Sequence, residues 1–227
     1  MPGLADTLRR ATAPRAVVAI SRLQWPRRLR AAIRRARGQR ACIELFFAYD
    51  DPYSAIALPG LMAIARQRNA ELQIYPLIER GIAGDPAAAQ RRKHALVDSR
   101  RLALRTGRKF SREQPLAADD CAFLAAWTEA ARGHAGMAAF AAAALEQLWC
   151  NSNNVPAPED FQNLYRQRIG LQAPERTPAI TAALSRNTAR LHRLGHWESP
   201  AARIDRQWFF AHERLAQIDA CLQALDK

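Results

Sequence analysis

The chain has 227 residues, 49% of them hydrophobic and 24% charged, which is typical of a globular protein and not of a disordered one. No run reaches the roughly 18 to 20 apolar residues that a membrane-spanning helix needs, which argues against a transmembrane protein. The net charge of +13 is concentrated, because residues 1–40 hold 11 Arg and Asp6 as their single acid. The remaining residues carry only +3. This distribution argues against specific nucleic-acid binding by the whole chain.

Residues 1–40 form a basic arm. In its second half, Leu29, Ala32 and Ile33 fall at helical spacing among six arginines, which predicts a basic amphipathic helix. Such a helix is typical of docking on an anionic membrane surface. A solvated extension and an organellar transit peptide are the alternatives. The Ala and Arg bias of the chain favours a bacterial source.

Four cysteines are present: Cys42, Cys121, Cys150 and Cys221. None lies three positions from another, so the chain has neither a Cys-x-x-Cys redox pair nor the spacing of a zinc site. We therefore expect buried or half-buried thiols in a reducing cytosol, and no metal.

The body begins with a strand–helix–strand pattern. The apolar run CIELFFAY at 42–49 predicts a buried strand that ends at the turn-like Asp50-Asp51-Pro52. Residues 53–69 have helical periodicity, and residues 72–77 predict a second strand. A connecting helix of this length implies that the two strands are parallel.

After residue 86 the pattern stays helical for about a hundred residues, with predicted helices near 86–106, 117–132, 135–150, 158–169 and 175–194. The end of the chain predicts two short strands and a closing helix. This order predicts an α/β, thioredoxin-like fold of the DsbA type, with residues 41–85 and 195–227 as the thioredoxin-like domain and 86–194 as a helical insertion domain.

Several segments resemble one enzyme family, in order and over residues 42–225. They are IELFFAYDDPYSAIALPGL, HALVDSRRLALRTGRKF, ALEQLWCNSNNVPAPEDFQNLYRQRIGL and ESPAARIDRQWFFAHERLAQI. These segments resemble 2-hydroxychromene-2-carboxylate isomerases and kappa-class glutathione transferases. The resemblance implies a glutathione-dependent isomerase or transferase that acts on an aromatic or unsaturated acid.

The resemblance implies that Asp51 is the catalytic residue, because it stands where the family has the serine that activates the glutathione sulfur. An ionised carboxylate repels a thiolate, whereas a hydroxyl donates to it. Asp51 is therefore protonated, or it acts as a base, or the glutathione chemistry has been lost. The alternative interpretation is a plain helix cap.

The other implied cofactor contacts lie near the end of the chain. Pro200 matches the family's cis-proline, and the residue before it, Ser199, matches the position whose backbone binds glutathione. His212, Glu213 and Arg214 match the start of the closing helix, which holds the γ-glutamyl group in the family. Glu213 is also suited to a structural role, as an acid at a helix N-terminus.

The implied substrate contacts are Arg91, His94 and Tyr53. Arg91 and His94 match a Lys and a Tyr of the family, and an arginine here suits a substrate carboxylate. Tyr53 follows the helix-start proline, where it lines either the groove or the core. A surface histidine without function is the alternative for His94.

A second hypothesis is a catalytically degenerate DsbA-like binding module, because both the Cys-x-x-Cys pair and the serine are missing. The basic arm would then be its docking element. A disulfide oxidoreductase ranks below both. Family members of this type dimerise, so a homodimer is also expected from the resemblance.

Overall fold

The computed structural model describes residues 25–82 and 84–225. Its helices are α1 (Trp25–Ala36), α2 (Ser54–Gln67), α3 (Ala88–Arg105), α4 (Ala118–Ala130), α5 (Met137–Cys150), α6 (Pro158–Ile169), α7 (Pro178–Arg193) and α8 (Leu215–Leu225). Its strands are β1 (Cys42–Ala48), β2 (Glu71–Leu77), β3 (Ala201–Ile204) and β4 (Gln207–Phe210). Helices α3 to α7 thus lie between β2 and β3 in the chain. The first part of the basic arm, residues 1–24, lies outside the described residues.

The four strands form one sheet in the order β2-β1-β3-β4. Strand β1 pairs parallel with β2 and antiparallel with β3, and β3 pairs antiparallel with β4. The parallel pair and the terminal hairpin predicted from the sequence are therefore confirmed. The α/β thioredoxin-like fold with a helical insertion is confirmed with them.

Both faces of the central strand are buried. Ile43, Leu45 and Phe47 belong to the main core, which also contains apolar side chains of α2, α4 and α5. Phe46 and Ala48 belong to a smaller cluster on the other face, together with Leu191 of α7. This two-sided burial explains why β1 is apolar at every position except Glu44, instead of alternating between apolar and polar residues.

The end of β1 is fixed by a tryptophan from the helical insertion. Trp149 of α5 is fully buried, and its Nε1 donates to the carbonyl oxygen of Tyr49 at 3.1 Å. The Tyr49 hydroxyl forms a 2.5 Å hydrogen bond with Thr128 Oγ1 of α4. These two contacts hold the turn that follows β1 at a fixed place above the carboxyl edge of the sheet.

The loop before β3 lies beside the loop after β2. Gly81 donates its backbone N–H to the carbonyl oxygen of Trp197 at 2.9 Å, and its φ of 80° lies in the region that favours glycine. The Ser199-Pro200 peptide bond is cis, as the resemblance implied. Ser199 lies at the same edge of the sheet as the end of β1, within hydrogen-bond distance of Asp51.

Candidate functional site

A cleft of about 710 Å³ opens at the carboxyl ends of β1 and β2. Its walls are the turn after β1, the loop after β2, the first half of α3, one side of α7 and the segment 198–213. Parallel strands place their carboxyl ends at the same edge of a sheet, and ligand sites of open α/β sheets are found at such edges. The volume lies within the range usual for small-molecule sites.

Asp51 and Ser199 form a hydrogen-bonded pair at the base of this cleft. Ser199 lines the cleft, and its Oγ donates to Asp51 Oδ2 at 3.1 Å. The Asp51 side chain is fully buried, and its Oδ1 accepts the backbone N–H of Tyr53 at 3.2 Å in the turn leading into α2. Asp51 therefore has the local contact of a helix-start residue, and it reaches the cleft through the Ser199 hydroxyl.

Burial makes the Asp51 carboxyl a weak acid. Loss of water around the side chain raises its pKa most strongly, and the neighbouring Asp50 carboxylate adds to this effect, so that the net pKa rises from 3.8 to about 7. Arg80 opposes this shift, as do the hydrogen bonds from Tyr53 and Ser199. Both protonation states of Asp51 are therefore populated near neutral pH.

Arg80 is the cation that offsets the two adjacent carboxyl groups. Its Nε lies 3.2 Å from both carboxylate oxygens of Asp50, and its Nη1 lies 4.0 Å from Glu198 Oε1. Burial lowers the pKa of Arg80, but the carboxylates of Asp51 and Asp50 outweigh it, so the net shift is upward. Arg80 thus remains charged, as arginine does in proteins generally.

Tyr53 connects three elements around the cleft. Its hydroxyl donates to Asp98 Oδ2 of α3 at 2.9 Å, and its ring stacks on that of His212 with centroids 4.0 Å apart. Burial lowers the pKa of His212, whose buried Nδ1 has no hydrogen-bond partner among the described residues. The stack is therefore a largely uncharged wall.

The two predicted substrate residues on α3 both line the cleft. Arg91, however, forms an ion pair with Asp85 at its rim. Its guanidinium is already partnered by a carboxylate, which competes with the role expected for it. His94 is exposed and lines the same wall.

The implied cofactor residues separate into two groups. Ser199, His212 and Glu213 line the cleft. Pro200 is buried behind it, and Arg214 is exposed and lies outside the lining. The cofactor role expected of Arg214 therefore has no geometric support.

Sequence reasoning did not identify Arg80, Thr188 and His192 as site residues. Arg80 follows the end of β2, so a search for charged residues after each predicted strand would have found it. Thr188 and His192 lie on α7 and enter the cleft by tertiary packing. No local pattern marks them.

None of the described residues that line the cleft is a cysteine. Within residues 25–82 and 84–225, no group of three or more His, Cys, Asp or Glu side chains is arranged to hold a metal ion. In the same ranges, no helix combines the length and apolar character needed to cross a bilayer.

The sequence matches no family model and no curated protein. Solved structures do share its architecture. One is a 2-hydroxychromene-2-carboxylate isomerase, with a TM-score of 0.68, 15% identity, and coverage of 82% of this chain and 96% of the other. A second is a putative protein disulfide isomerase from Nitrosomonas europaea, with a TM-score of 0.56, 16% identity, and coverage of 82% and 98%.

A third similar structure is the cytosolic disulfide reductase DsbM from Pseudomonas aeruginosa with GSH, with a TM-score of 0.54, 14% identity, and coverage of 82% and 97%. A probable DsbA oxidoreductase from Streptomyces coelicolor has a TM-score of 0.57 at 15% identity. At these identities the likeness establishes architecture and not activity. The chain therefore has the DsbA-like thioredoxin fold with an inserted helical segment.

Proposed function

We propose that this protein is a glutathione-dependent isomerase or transferase that acts on an aromatic or unsaturated acid. The observation that carries the proposal is the Ser199–Asp51 pair, 3.1 Å apart at the base of the cleft. It supplies a hydroxyl beside a carboxyl group that changes protonation state near neutral pH. The shared fold with an isomerase of this kind, and with a disulfide reductase described with GSH, supports the proposal.

The residues of the cleft fit glutathione in charge and size. The tripeptide carries two carboxylates, one ammonium group and one thiol. Arg92 and His192 line the cleft and have no ion pair within the described part of the chain, which leaves them available to carboxylates. Glu79 and Glu213 are acids that suit an ammonium group, and a volume of about 710 Å³ leaves room for a second small molecule.

Asp51 and Ser199 would control one proton at the sulfur end of the ligand. When Asp51 is ionised, the Ser199 O–H donates to Asp51 Oδ2 and is not free for a ligand. When Asp51 is protonated, it can donate to Ser199 Oγ. The Ser199 O–H is then free to donate to a ligand in the cleft. With Asp51 neutral, the Ser199 hydroxyl can thus donate to the glutathione sulfur, which is the role of the serine that the family has at the position of Asp51.

Bound glutathione would supply a thiol nucleophile that adds to an electrophilic carbon and leaves again. The substrate's own groups would meet the outer part of the cleft. Ile82 and Phe210 are 58% and 49% exposed and form apolar walls for an aromatic ring. His94 on α3 would bind the substrate carboxylate, because Arg91 is paired with Asp85 and Arg92 is assigned to glutathione.

A kinetic assay tests this proposal, with 2-hydroxychromene-2-carboxylate as substrate in the presence and absence of glutathione. We expect turnover that requires glutathione. It should fall about tenfold or more in Ser199→Ala, because the variant loses the hydrogen bond from the Ser199 hydroxyl to the glutathione thiolate. Asp51→Ser should raise turnover above pH 7. Ser185→Ala, an exposed serine on α7, is the matched control and should leave turnover unchanged. Equal turnover in Ser199→Ala and Ser185→Ala would contradict the proposed role.

One observation favours the second hypothesis, a DsbA-like binding module without thiol chemistry. The backbone N–H of Ser199, beside the cis-proline, donates to Glu198 Oε1 at 3.2 Å and is therefore already satisfied. Glutathione binding by the Glu198→Ala variant distinguishes the enzyme from the binding module. In the enzyme it should strengthen glutathione binding by freeing this donor, whereas in a binding module no variant of the cleft binds glutathione.

A further inference from the structure

Helix α1 is attached to the body of the protein through its polar side. Arg30 Nε lies 2.9 Å from Asp205 Oδ1 in the turn between β3 and β4, and Arg35 Nη1 donates to the carbonyl oxygen of Leu225 at 3.2 Å. Between them, Ala31 is buried against the main core. Arg30 and Arg35 therefore help to hold the helix in place, and among the apolar side chains of residues 29–36 only Ala31 is buried.

The apolar stripe of α1 faces away from the body. Leu29 is 53% exposed and Ile33 is 44% exposed. Ala32 and Ala36 are exposed as well. These four residues follow the i, i+3, i+4, i+7 spacing of a single helix face. An amphipathic helix with a purely structural role would bury its apolar face against the protein. The outward orientation of this face therefore indicates that it binds a partner.

The charge around this stripe indicates which partner. Residues 25–40 contain seven arginines and no acid, within an arm that carries +10 over residues 1–40. A second copy of the chain would bring the same positive charge to the contact and repel it. An anionic lipid surface satisfies both features at once, because the apolar face enters the boundary between head groups and acyl chains. The arginines other than Arg30 and Arg35, which bind the body of the protein, would meet lipid phosphates.

We propose that Leu29, Ala32, Ile33 and Ala36 of α1 form a docking surface for an anionic lipid bilayer. The helix lies along the bilayer surface without crossing it. The Arg30–Asp205 contact fixes α1 on the body, so docking holds the whole protein at the membrane. The proposal is independent of the chemistry of the cleft.

Co-sedimentation of the full chain with lipid vesicles tests the docking surface. We expect binding to vesicles of phosphatidylcholine mixed with phosphatidylglycerol, much weaker binding to phosphatidylcholine alone, and loss of binding as salt shortens the Debye length from about 10 Å at 0.1 M. The double variant Leu29→Ser/Ile33→Ser should lower the partition coefficient by about tenfold or more. Leu104→Ser/Leu171→Ser removes two leucines that are 65% and 63% exposed elsewhere, and should bind like the parent protein.

Two results would overturn the proposal. One is the absence of binding to the anionic vesicles, or equal binding by the parent and the Leu29→Ser/Ile33→Ser variant, with circular dichroism showing that both are folded. The other is a parent protein that is dimeric by light scattering and becomes monomeric in this variant but not in the control. That result would assign the stripe to contact between copies.

Discussion

Replacing Asp51 by asparagine should stabilise the protein at pH 8 and have little effect at pH 4. The folded-state pKa of Asp51, about 7, lies above its ordinary value of 3.8, so the folded protein holds this proton more tightly than the unfolded chain does. Stability is therefore lost as the pH rises from about 4 to 7, and the loss is complete above pH 7. A shift of this size corresponds to about 4 kcal/mol. Asparagine keeps the shape without the charge: its Oδ1 can accept the Tyr53 N–H, and its Nδ2 can donate to Ser199 Oγ, as a protonated Asp51 would.

The measurement is urea unfolding of both proteins from pH 4 to pH 8. The difference in the free energy of unfolding should grow with pH in favour of Asp51→Asn. Glu175→Gln is the control, because it changes an exposed carboxylate to an amide. Its stability should run parallel to that of the parent at every pH. A constant difference between Asp51→Asn and the parent would mean that Asp51 is ionised throughout.

Replacing Arg80 by methionine should destabilise the protein by about 3–5 kcal/mol at pH 8. The Arg80 side chain is 17% exposed and that of its partner Asp50 is 6% exposed, so the variant leaves a buried carboxylate without its cation. Asp51 loses the same cation, and its pKa should rise further. At pH 5 the loss should be smaller, since Asp51 is then protonated and needs no counter-charge.

Arg92→Met is the matched control for this variant. Arg92 lines the same cleft but is exposed, so its removal should change the free energy of unfolding by no more than about 0.5 kcal/mol. The double variant Arg80→Met/Asp51→Asn should recover part of the lost stability. Equal effects of Arg80→Met and Arg92→Met would show that the carboxyl groups at the base of the cleft do not depend on Arg80.

The order of elements could be predicted from the sequence because the signals are local. Apart from Glu44, the run CIELFFA places apolar side chains on both faces of β1, and Asp50-Asp51-Pro52 ends it. A helix of 14 residues between two such runs requires a parallel pair.

The cleft could not be predicted in the same way. Thr188 and His192 follow β1 by about 140 residues in sequence and reach the cleft only through packing of α7.

The roles of two charged residues depend on contacts that no pattern shows. Arg91 was expected to bind a substrate carboxylate, and the structure pairs it with Asp85. Arg214 was expected to hold the cofactor, and its side chain lies outside the cleft.

The helix predicted in the basic arm is confirmed as α1. Its orientation was not predictable, because burial of the apolar face is the usual outcome and here Arg30 and Arg35 reverse it.

Glutathione binding should depend on pH in the parent protein and not in Asp51→Ser, which calorimetric titration of reduced glutathione at pH 6 and pH 8 measures. We expect millimolar or tighter binding by the parent at pH 6, weakened about tenfold at pH 8, because ionised Asp51 engages the Ser199 hydroxyl and keeps it from the ligand. We expect Asp51→Ser to bind at both pH values without this loss. Absence of binding by both proteins at both pH values would rule out a glutathione-dependent enzyme and favour the binding module.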